Sequence, residues 1–296
     1  MVTDVCLDEL KNIYPFESHY LDLNELRYHY LDEGQGETLL MLHGNPTWSF
    51  YYRNLVRGLR SQYRCVVPDH MGCGLSDKPQ DYNYTLSQHI DNLERLIEKL
   101  SLDNITLVMH DWGGAIGMGL AVRHPEKIKR LVLFNTAAFR TDRIPFSINL
   151  CRQPVIGPVA ILNFNLFARM ALVWACRQRD RMTAEVKRGY LAPYNSVENR
   201  IATLRFVQDI PMHPAVPSYP VVEHIESKLG FFRDRPVQLI WGMKDFCFND
   251  YFLQRWKTYF PEAEIHQVEE GGHYIVEDAY EEIIPWMIQF FKRNAI

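Results

Sequence analysis

Short apolar runs alternate along the chain with longer amphipathic stretches. Six runs have the length and composition of buried strands: TLLMLH (38–43), RCVVPD (64–69), ITLVMH (105–110), RLVLFN (130–135), VQLIWG (237–242) and EIHQVE (264–269). Helical patterns fill most of the gaps between them, at about 49–61, 86–101, 112–124, 249–259 and 277–293. This alternation predicts an α/β protein with a mostly parallel sheet and helices on both faces.

Two departures from the alternation complete the predicted architecture. HYLDLN and LRYHYLD near the start predict an antiparallel hairpin, which brings the sheet to eight strands. The stretch between 130–135 and 237–242 carries helical runs, many prolines and no clear strand. A plain crossover is much shorter, so we expect an inserted helical cap. The predicted core domain is 1–136 and 231–296, and the predicted cap domain is 137–230.

Composition narrows the class of protein. The chain has 296 residues and a net charge of −4, which gives no electrostatic reason to expect nucleic acid as a partner. Its first residues lack a basic start and a long apolar run, so we expect no secretory signal. The six cysteines form no CxxC pair, which favours buried thiols in a reducing compartment over disulfides or a zinc site. We therefore expect a cytoplasmic protein.

Residues 154–175 are apolar over a length that a membrane span would need. The stretch is interrupted by Gly157-Pro158, by two asparagines and by Arg169, and a spanning helix would place that arginine in lipid. We expect no stable membrane span and predict short helices packed over a pocket. Contact of this stretch with a membrane surface or a second subunit stays an alternative.

The stretch VMHDWGGAIG (108–117) has the pattern of a nucleophile elbow, with a strand, a nucleophile, small residues and a helix. Asp111 occupies the nucleophile position. Gly113 and Gly114 allow the helix to pack closely on the strand, and backbone N–H groups at the helix start can hold an anion. The alternative is an aspartate that merely caps the helix.

Other strand ends supply candidate partners. In an elbow of this kind the loop after the first parallel strand and the residue after the nucleophile supply backbone N–H donors, here Asn45 and Trp112. His273 follows the last strand and two glycines, where the catalytic base of such a chain is expected. Asp245 follows the strand VQLIWG and is the predicted acid, with Asp250 as a fallback that we expect to cap a helix instead.

Three remaining features have structural interpretations. His43 and His110 flank the motifs and are expected to be structural. The glycines of DHMGCGLS (69–76) lack a following helix with Lys-Ser/Thr, so a structural turn is favoured over a phosphate loop.

A carboxylate nucleophile restricts the chemistry. Attack on an ester would give an anhydride, whereas in-line attack on a saturated carbon gives an alkyl ester, which is a useful intermediate. Asp111 therefore indicates cleavage of a C–halogen bond, an epoxide or a lactone C–O bond at an sp³ carbon.

The motifs HGNPTW, PDHMGCGLSDKP, HDWGG, WGMKD and GGHYIVED together resemble the haloalkane dehalogenases of the α/β-hydrolase fold. The resemblance extends from about residue 15 to 293 and is weakest in the cap. Epoxide hydrolases and the β-lactone decarboxylases of long-chain olefin biosynthesis share these motifs.

The resemblance implies a role for each matched residue. Asp111 is the nucleophile, Trp112 and Asn45 donate N–H groups to the leaving halide, His273 is the base and Asp245 the acid. The acid matches the subgroup that places it after the seventh main strand. A second subgroup has a glutamate as the acid where this chain has Thr136, so that arrangement does not apply. A third subgroup uses a cap tryptophan as the second halide donor; Trp174 is the only tryptophan in the predicted cap, and Asn45 already fills that role.

The activity that the resemblance implies is hydrolytic dehalogenation. Asp111 forms an alkyl ester with the substrate, His273 activates a water that hydrolyses it, and the backbone N–H groups of Asn45 and Trp112 hold the oxyanion. The expected partners are a small apolar halogenated substrate, water and a halide ion, with no metal or organic cofactor. Assembly into a homo-oligomer is neither predicted nor excluded by the sequence.

Three alternatives accompany this expectation. A β-lactone decarboxylase could use the same carboxylate to make a long-chain olefin, and the apolar stretch 154–175 favours such a substrate. An epoxide hydrolase would also need cap tyrosines, for which Tyr190 and Tyr194 are the candidates. A non-catalytic receptor on this scaffold is disfavoured because all three triad members are present. Five phenylalanines are candidates for the pocket wall: Phe139, Phe146, Phe164, Phe167 and Phe206.

Overall fold

Eight strands form one sheet in the computed structural model, which describes residues 8–296. The strands are β1 His19–Leu23, β2 Leu26–Glu33, β3 Thr38–Leu42, β4 Arg64–Pro68, β5 Ile105–Asp111, β6 Ile128–Thr136, β7 Val237–Gly242 and β8 Glu264–Val268. Their order is β1-β2-β4-β3-β5-β6-β7-β8. The β1–β2 and β2–β4 pairs are antiparallel and all others are parallel, which confirms the predicted fold class.

Eleven α-helices surround the sheet within residues 8–296. They are α1 Arg53–Leu59, α2 Leu86–Lys99, α3 Trp112–Arg123, α4 Phe146–Cys151, α5 Ile156–Pro158, α6 Leu166–Trp174, α7 Ala184–Leu191, α8 Ile201–Gln208, α9 Tyr219–Lys228, α10 Asp250–Tyr259 and α11 Ile275–Arg293. The predicted helix at 49–61 begins instead with a 3₁₀ turn at Ser49–Tyr52, and α1 follows it.

The central strands are apolar throughout because both faces of the sheet are covered. Every residue of β3 and β5 is buried. Successive β3 residues point in opposite directions, so Leu40 and Leu42 join the core beneath α2 and α3, whereas Leu39 and Met41 join the core beneath α1 and α11. This covering of both faces fixes the strand ends from which the candidate site is built.

The long insertion after β6 is helical, as predicted. Helices α4 to α8 lie in it, and α4 and α8 pack together around a small core of Ile161, Leu204 and Val207. Helix α9, which the predicted cap 137–230 includes, packs against α3 of the core. The predicted boundary between cap and core at residues 230 and 231 therefore stays a prediction.

The apolar stretch 154–175 forms short helices, as predicted. A π-helical turn at Val159–Asn163 continues α5, and the resulting helix Ile156–Asn163 meets α6 at an angle of 77°. No single helix within residues 8–296 is long and apolar enough to cross a bilayer, although this bent pair satisfies the same criteria by length and composition. We call Ile156–Asn163 and α6 the cap helix pair.

The cysteines of the described residues carry free thiols. Cys65, Cys73 and Cys176 are buried, as expected of small apolar side chains, whereas Cys151 and Cys247 are partly exposed. Cys6 and the start of the chain, where no secretory signal was expected, fall among residues 1–7, outside the described residues.

Candidate active site

Asp111 sits at a sharp turn between β5 and α3. Its backbone φ is 51° and its ψ is −124°, a conformation that costs energy in any residue with a side chain. A side chain at Gly113 would overlap the Leu42 carbonyl, and one at Gly114 would overlap Thr136. The glycines are therefore required for the helix to start this close to the sheet. The Asp111 side chain makes no capping hydrogen bond to α3, which removes the alternative of a simple helix cap.

A backbone N–H group holds the Asp111 carboxylate. The Asn45 N–H donates to Oδ1 at 2.7 Å, and the adjacent Trp112 N–H also acts to lower the pKa of the carboxyl group. Gly44 allows this approach, because a side chain there would overlap the carboxylate. Burial raises the pKa of Asp111, while His273 and these N–H groups oppose the rise. The two predicted backbone donors thus meet the predicted nucleophile.

His273 lies between two carboxylates. Its Nδ1 is 2.9 Å from Oδ2 of Asp245, and its Nε2 is 3.8 Å from Oδ2 of Asp111. Burial disfavours the imidazolium, but the Asp245 and Asp111 carboxylates outweigh it and raise the pKa of His273. The structure therefore brings together the three residues predicted from separate strand ends. The arrangement can supply a nucleophile, a base and the group that orients the base.

Asp250 lies apart from this cluster. Its Oδ1 accepts a hydrogen bond from Gln254 at 3.0 Å on the surface of α10. The expectation that Asp250 caps this helix is wrong, because Asn249 is the cap and its Oδ1 accepts from the Tyr251 N–H. Asp245 instead has its second oxygen, Oδ1, held at 2.6 Å by the Cys247 N–H.

His43 and His110 contact the backbone, in keeping with structural roles. His43 Nε2 accepts from the His70 N–H at 3.0 Å, and His110 Nε2 lies 2.8 Å from the His273 carbonyl oxygen. The turn 69–76 is also structural, since the buried Asp69 carboxylate accepts from the Leu75 N–H inside the turn.

A cavity of about 370 Å³ ends at this cluster. Asn45, Asp111, Trp112 and His273 line one end, and most of the remaining wall is apolar. Asn45 Nδ2 donates one hydrogen to the Thr203 carbonyl at 3.2 Å and carries a second. No acceptor within residues 8–296 pairs with Trp112 Nε1. The closed end of the cavity therefore holds side-chain N–H groups as well as a carboxylate.

The cap supplies wall residues that the sequence predicted only in part. Phe139 and Phe167 line the cavity, whereas Phe146 and Phe164 are exposed and Phe206 is buried, with its ring centroid 5.2 Å from that of Trp112. Several α6 wall residues were not predicted from the sequence, although their helical spacing on an apolar segment was a usable signal: Leu166, Met170 and Ala171, together with Trp174, which was considered only as a halide donor.

Tyr190 and Tyr194 do not face the cavity. Both are buried, with the Tyr190 hydroxyl 2.5 Å from Glu277 and the Tyr194 hydroxyl donating to the Thr47 carbonyl at 3.1 Å. Neither is placed to protonate an epoxide oxygen, so the structure does not support the role considered for them.

Two adjacent carboxylates that were not predicted from the sequence, Glu277 and Asp278, connect the cap to the loop that carries His273. Asp278 accepts from the Gly272 N–H at 2.7 Å and from the Gln178 N–H at 2.7 Å. Glu277 forms a buried ion pair with Arg53 and accepts from Tyr190. These contacts join the loop that carries His273 to helices of both the core and the cap.

Comparisons with known proteins agree with this fold. The family described as alpha/beta hydrolase fold matches residues 37–280. The chain is 47% identical to a cis-3-alkyl-4-alkyloxetan-2-one decarboxylase of Shewanella oneidensis, over 96% of this chain and 91% of the relative. It is 32% identical to haloalkane dehalogenase 2 of Mycobacterium bovis, over 94% and 96%. The crystal structure of haloalkane dehalogenase DatA from Agrobacterium tumefaciens superposes with a TM-score of 0.81 at 26% identity, over 94% and 97%.

Proposed function

The chain belongs to the α/β-hydrolase family, and from that premise we propose that it decarboxylates cis-3,4-dialkyl β-lactones (oxetan-2-ones) to alkenes. Asp111 is the proposed nucleophile, and Asn45, Trp112, His273 and Asp245 complete the site. The observation that carries the proposal is the apolar cavity that ends at a buried carboxylate flanked by N–H donors. The 47% identity to an oxetanone decarboxylase supports this substrate class.

The first step is a displacement at saturated carbon. Oδ1 of Asp111 is held by the Asn45 N–H, which leaves Oδ2 to attack. Oδ2 attacks C4 of the lactone ring, a C–O ester bond forms, and the ring bond between C4 and its oxygen breaks. The electron pair of that bond passes to the ring oxygen, which becomes part of a free carboxylate on C3.

The second step releases both products without water. The C3–carboxylate bond breaks, carbon dioxide leaves, and its electron pair forms the C3–C4 double bond. The C4–O bond to Asp111 breaks at the same time, so the Asp111 carboxylate is regenerated. Inversion in the first step followed by anti elimination in the second converts a cis lactone to a cis alkene.

The donor groups at the closed end stabilise the charge that leaves C4. The free Asn45 Nδ2 hydrogen and Trp112 Nε1 can donate to the new carboxylate in a site with few other polar groups. His273, held by Asp245, places positive charge beside Asp111 and lowers the fraction of protonated Asp111. In this route the histidine acts through electrostatics, since no water has to be activated.

Haloalkane hydrolysis is the second candidate, and the paired N–H groups of Asn45 and Trp112 favour it because they suit a halide leaving group. Asp111 would form an alkyl ester, and His273 would activate the water that cleaves it to an alcohol. The 32% identity to a haloalkane dehalogenase supports this candidate.

A parallel assay distinguishes the two candidates. Purified full-length protein is incubated with a cis-3,4-dialkyl oxetan-2-one, with 1-bromobutane and with 1,2-dibromoethane, and alkene, carbon dioxide and halide are measured. The proposal predicts cis alkene and carbon dioxide from the lactone, with little halide. Halide release from a broad haloalkane panel without lactone turnover would overturn it in favour of the second candidate.

A further inference from the structure

The cap helix pair carries large apolar side chains on the protein surface. Val155 precedes it with 74% of its surface exposed, and Phe164 at the bend between its helices is 67% exposed. Leu166, Val173 and Trp174 on α6 are each more than two-fifths exposed. Contiguous exposed apolar patches on soluble proteins mark surfaces that bind other molecules. We call these five residues, with Val159, the cap patch.

The spacing of the patch residues places them on shared helix faces. Val155, at the start of the first helix, is one turn before Val159, and Leu166 and Val173 are seven residues apart on one face of α6. An external apolar groove between the two helices is lined by Val155, Val159 and Phe164, among others. The patch is therefore one surface across both helices and not a scatter of single residues.

The same surface borders the mouth of the active-site cavity. Ile156, Leu166 and Trp174 are exposed and also line that cavity. An apolar molecule lying against the cap patch would reach the cavity without first entering water. This continuity suits a lipid phase as the occupant of the patch.

The charged residues near the cap patch indicate which kind of lipid surface it would bind. Residues 140–181, which include the cap patch, contain seven arginines, two aspartates, and no lysine or glutamate, although the whole chain has a net charge of −4. Arg140 and Arg181 pair with glutamates of other segments. Arg169 lies between Leu166 and Val173 on the exposed face of α6, and within residues 8–296 it forms no ion pair. An arginine stem can lie along apolar surface while its guanidinium reaches a phosphate. This pattern complements an anionic surface.

We propose that the cap helix pair docks on an anionic phospholipid bilayer, with the cap patch in the acyl–headgroup boundary and Arg169 at the phosphates. The cavity mouth then opens toward the bilayer, from which apolar substrate enters. Lipid binding by this surface does not depend on which reaction the site catalyses.

Vesicle flotation of the full-length protein tests the docking. Vesicles of phosphatidylcholine and phosphatidylglycerol in equal parts are compared with vesicles of phosphatidylcholine alone. Phe164→Ser should weaken binding to the mixed vesicles about tenfold, because it removes an exposed aromatic side chain that docking would bury in the bilayer. Phe231→Ser is the matched control: Phe231 is 70% exposed but lies outside the cap helix pair, after α9, and this change should leave binding unaltered.

A charge variant separates the electrostatic contribution. Arg169→Gln should weaken binding to the mixed vesicles about fivefold and leave weak binding to phosphatidylcholine alone unchanged. Equal effects of Phe164→Ser and Phe231→Ser, or no flotation of the wild-type protein, would overturn the proposal. So would a dimer that dissociates on Phe164→Ser in sedimentation velocity without any vesicle binding, since the patch would then bind a second copy. Lactone turnover of a detergent-dispersed substrate, assayed in parallel, reports on the proposed function separately.

Discussion

Nε2 of His273 and Oδ2 of Asp111 lie 3.8 Å apart, which is beyond hydrogen-bond distance. The histidine is therefore beside the nucleophile without being its hydrogen-bond partner. Ester hydrolysis needs His273 to activate a water, whereas lactone decarboxylation needs only its charge. This difference makes His273 the residue at which the two candidate reactions diverge.

Replacing His273 with phenylalanine should affect the two reactions unequally. The variant should form an alkyl ester on Asp111 from 1-bromobutane and fail to hydrolyse it, which intact-protein mass spectrometry detects as an added alkyl group. Lactone turnover should fall by less than about a hundredfold, the lower end of what a general base contributes. Complete loss of lactone turnover in a folded variant would show that the histidine has a proton-transfer role there.

The two reactions should also depend differently on pH, because His273 has a different role in each. Hydrolysis needs neutral His273, and because the pKa of His273 is raised above 6.5, this rate should fall as pH drops through that raised value. Decarboxylation needs ionised Asp111, whose pKa is raised from 3.8, so its acid limb should lie at lower pH. It should also slow as pH rises through the pKa of His273, where the imidazolium charge is lost. Profiles of kcat for lactone and haloalkane, measured on one preparation, check this, because kcat includes the hydrolysis step that follows displacement. Coincident acid limbs would contradict the separate roles.

Trp112→Phe should slow displacement by about a hundredfold, because it removes one N–H donor from the leaving-group site. Single-turnover kinetics with the lactone measures this effect. Trp174→Phe is the control: it changes the same kind of side chain in the cavity wall, at a residue that is 46% exposed. A comparable loss in both variants would mean that Trp112 acts by shape and not by donation.

Glu277→Gln should lower the free energy of unfolding by about 3–5 kcal/mol, because it leaves the buried Arg53 guanidinium without its counter-charge. Urea titration followed by fluorescence measures the change. Glu281→Gln removes a partner of Arg181 at the surface and should cost at most about 1 kcal/mol. Similar losses in the two variants would show that the Arg53–Glu277 pair contributes no more than an exposed one.

Sequence was sufficient to predict the core of the site because its residues follow strands. Asp111 ends β5, Asp245 follows β7 and His273 follows β8, and parallel strands bring their carboxyl ends to one edge of the sheet. Short glycine-containing motifs also fixed the local backbone at Asp111. Each of these positions depends only on a strand and the loop that follows it, so it can be predicted from a short stretch of sequence.

Contacts made by the cap could not be predicted in the same way. Whether Tyr190 faces the cavity or Glu277 depends on packing between segments 87 residues apart. Likewise, Phe146 and Phe167 look alike in sequence, yet the first is exposed and the second lines the cavity. The choice between Asn249 and Asp250 as the cap of α10 depended on a shift of one residue in where the helix begins.

The most direct test of the account is the turnover of a cis-3,4-dialkyl oxetan-2-one by wild-type protein and by Asp111→Ala at equal concentration. Circular dichroism must first show that both proteins are folded. The wild type should give cis alkene and carbon dioxide, and the variant should show only the uncatalysed rate. Alkene formation by Asp111→Ala at a rate near that of the wild type would contradict attack by this carboxylate.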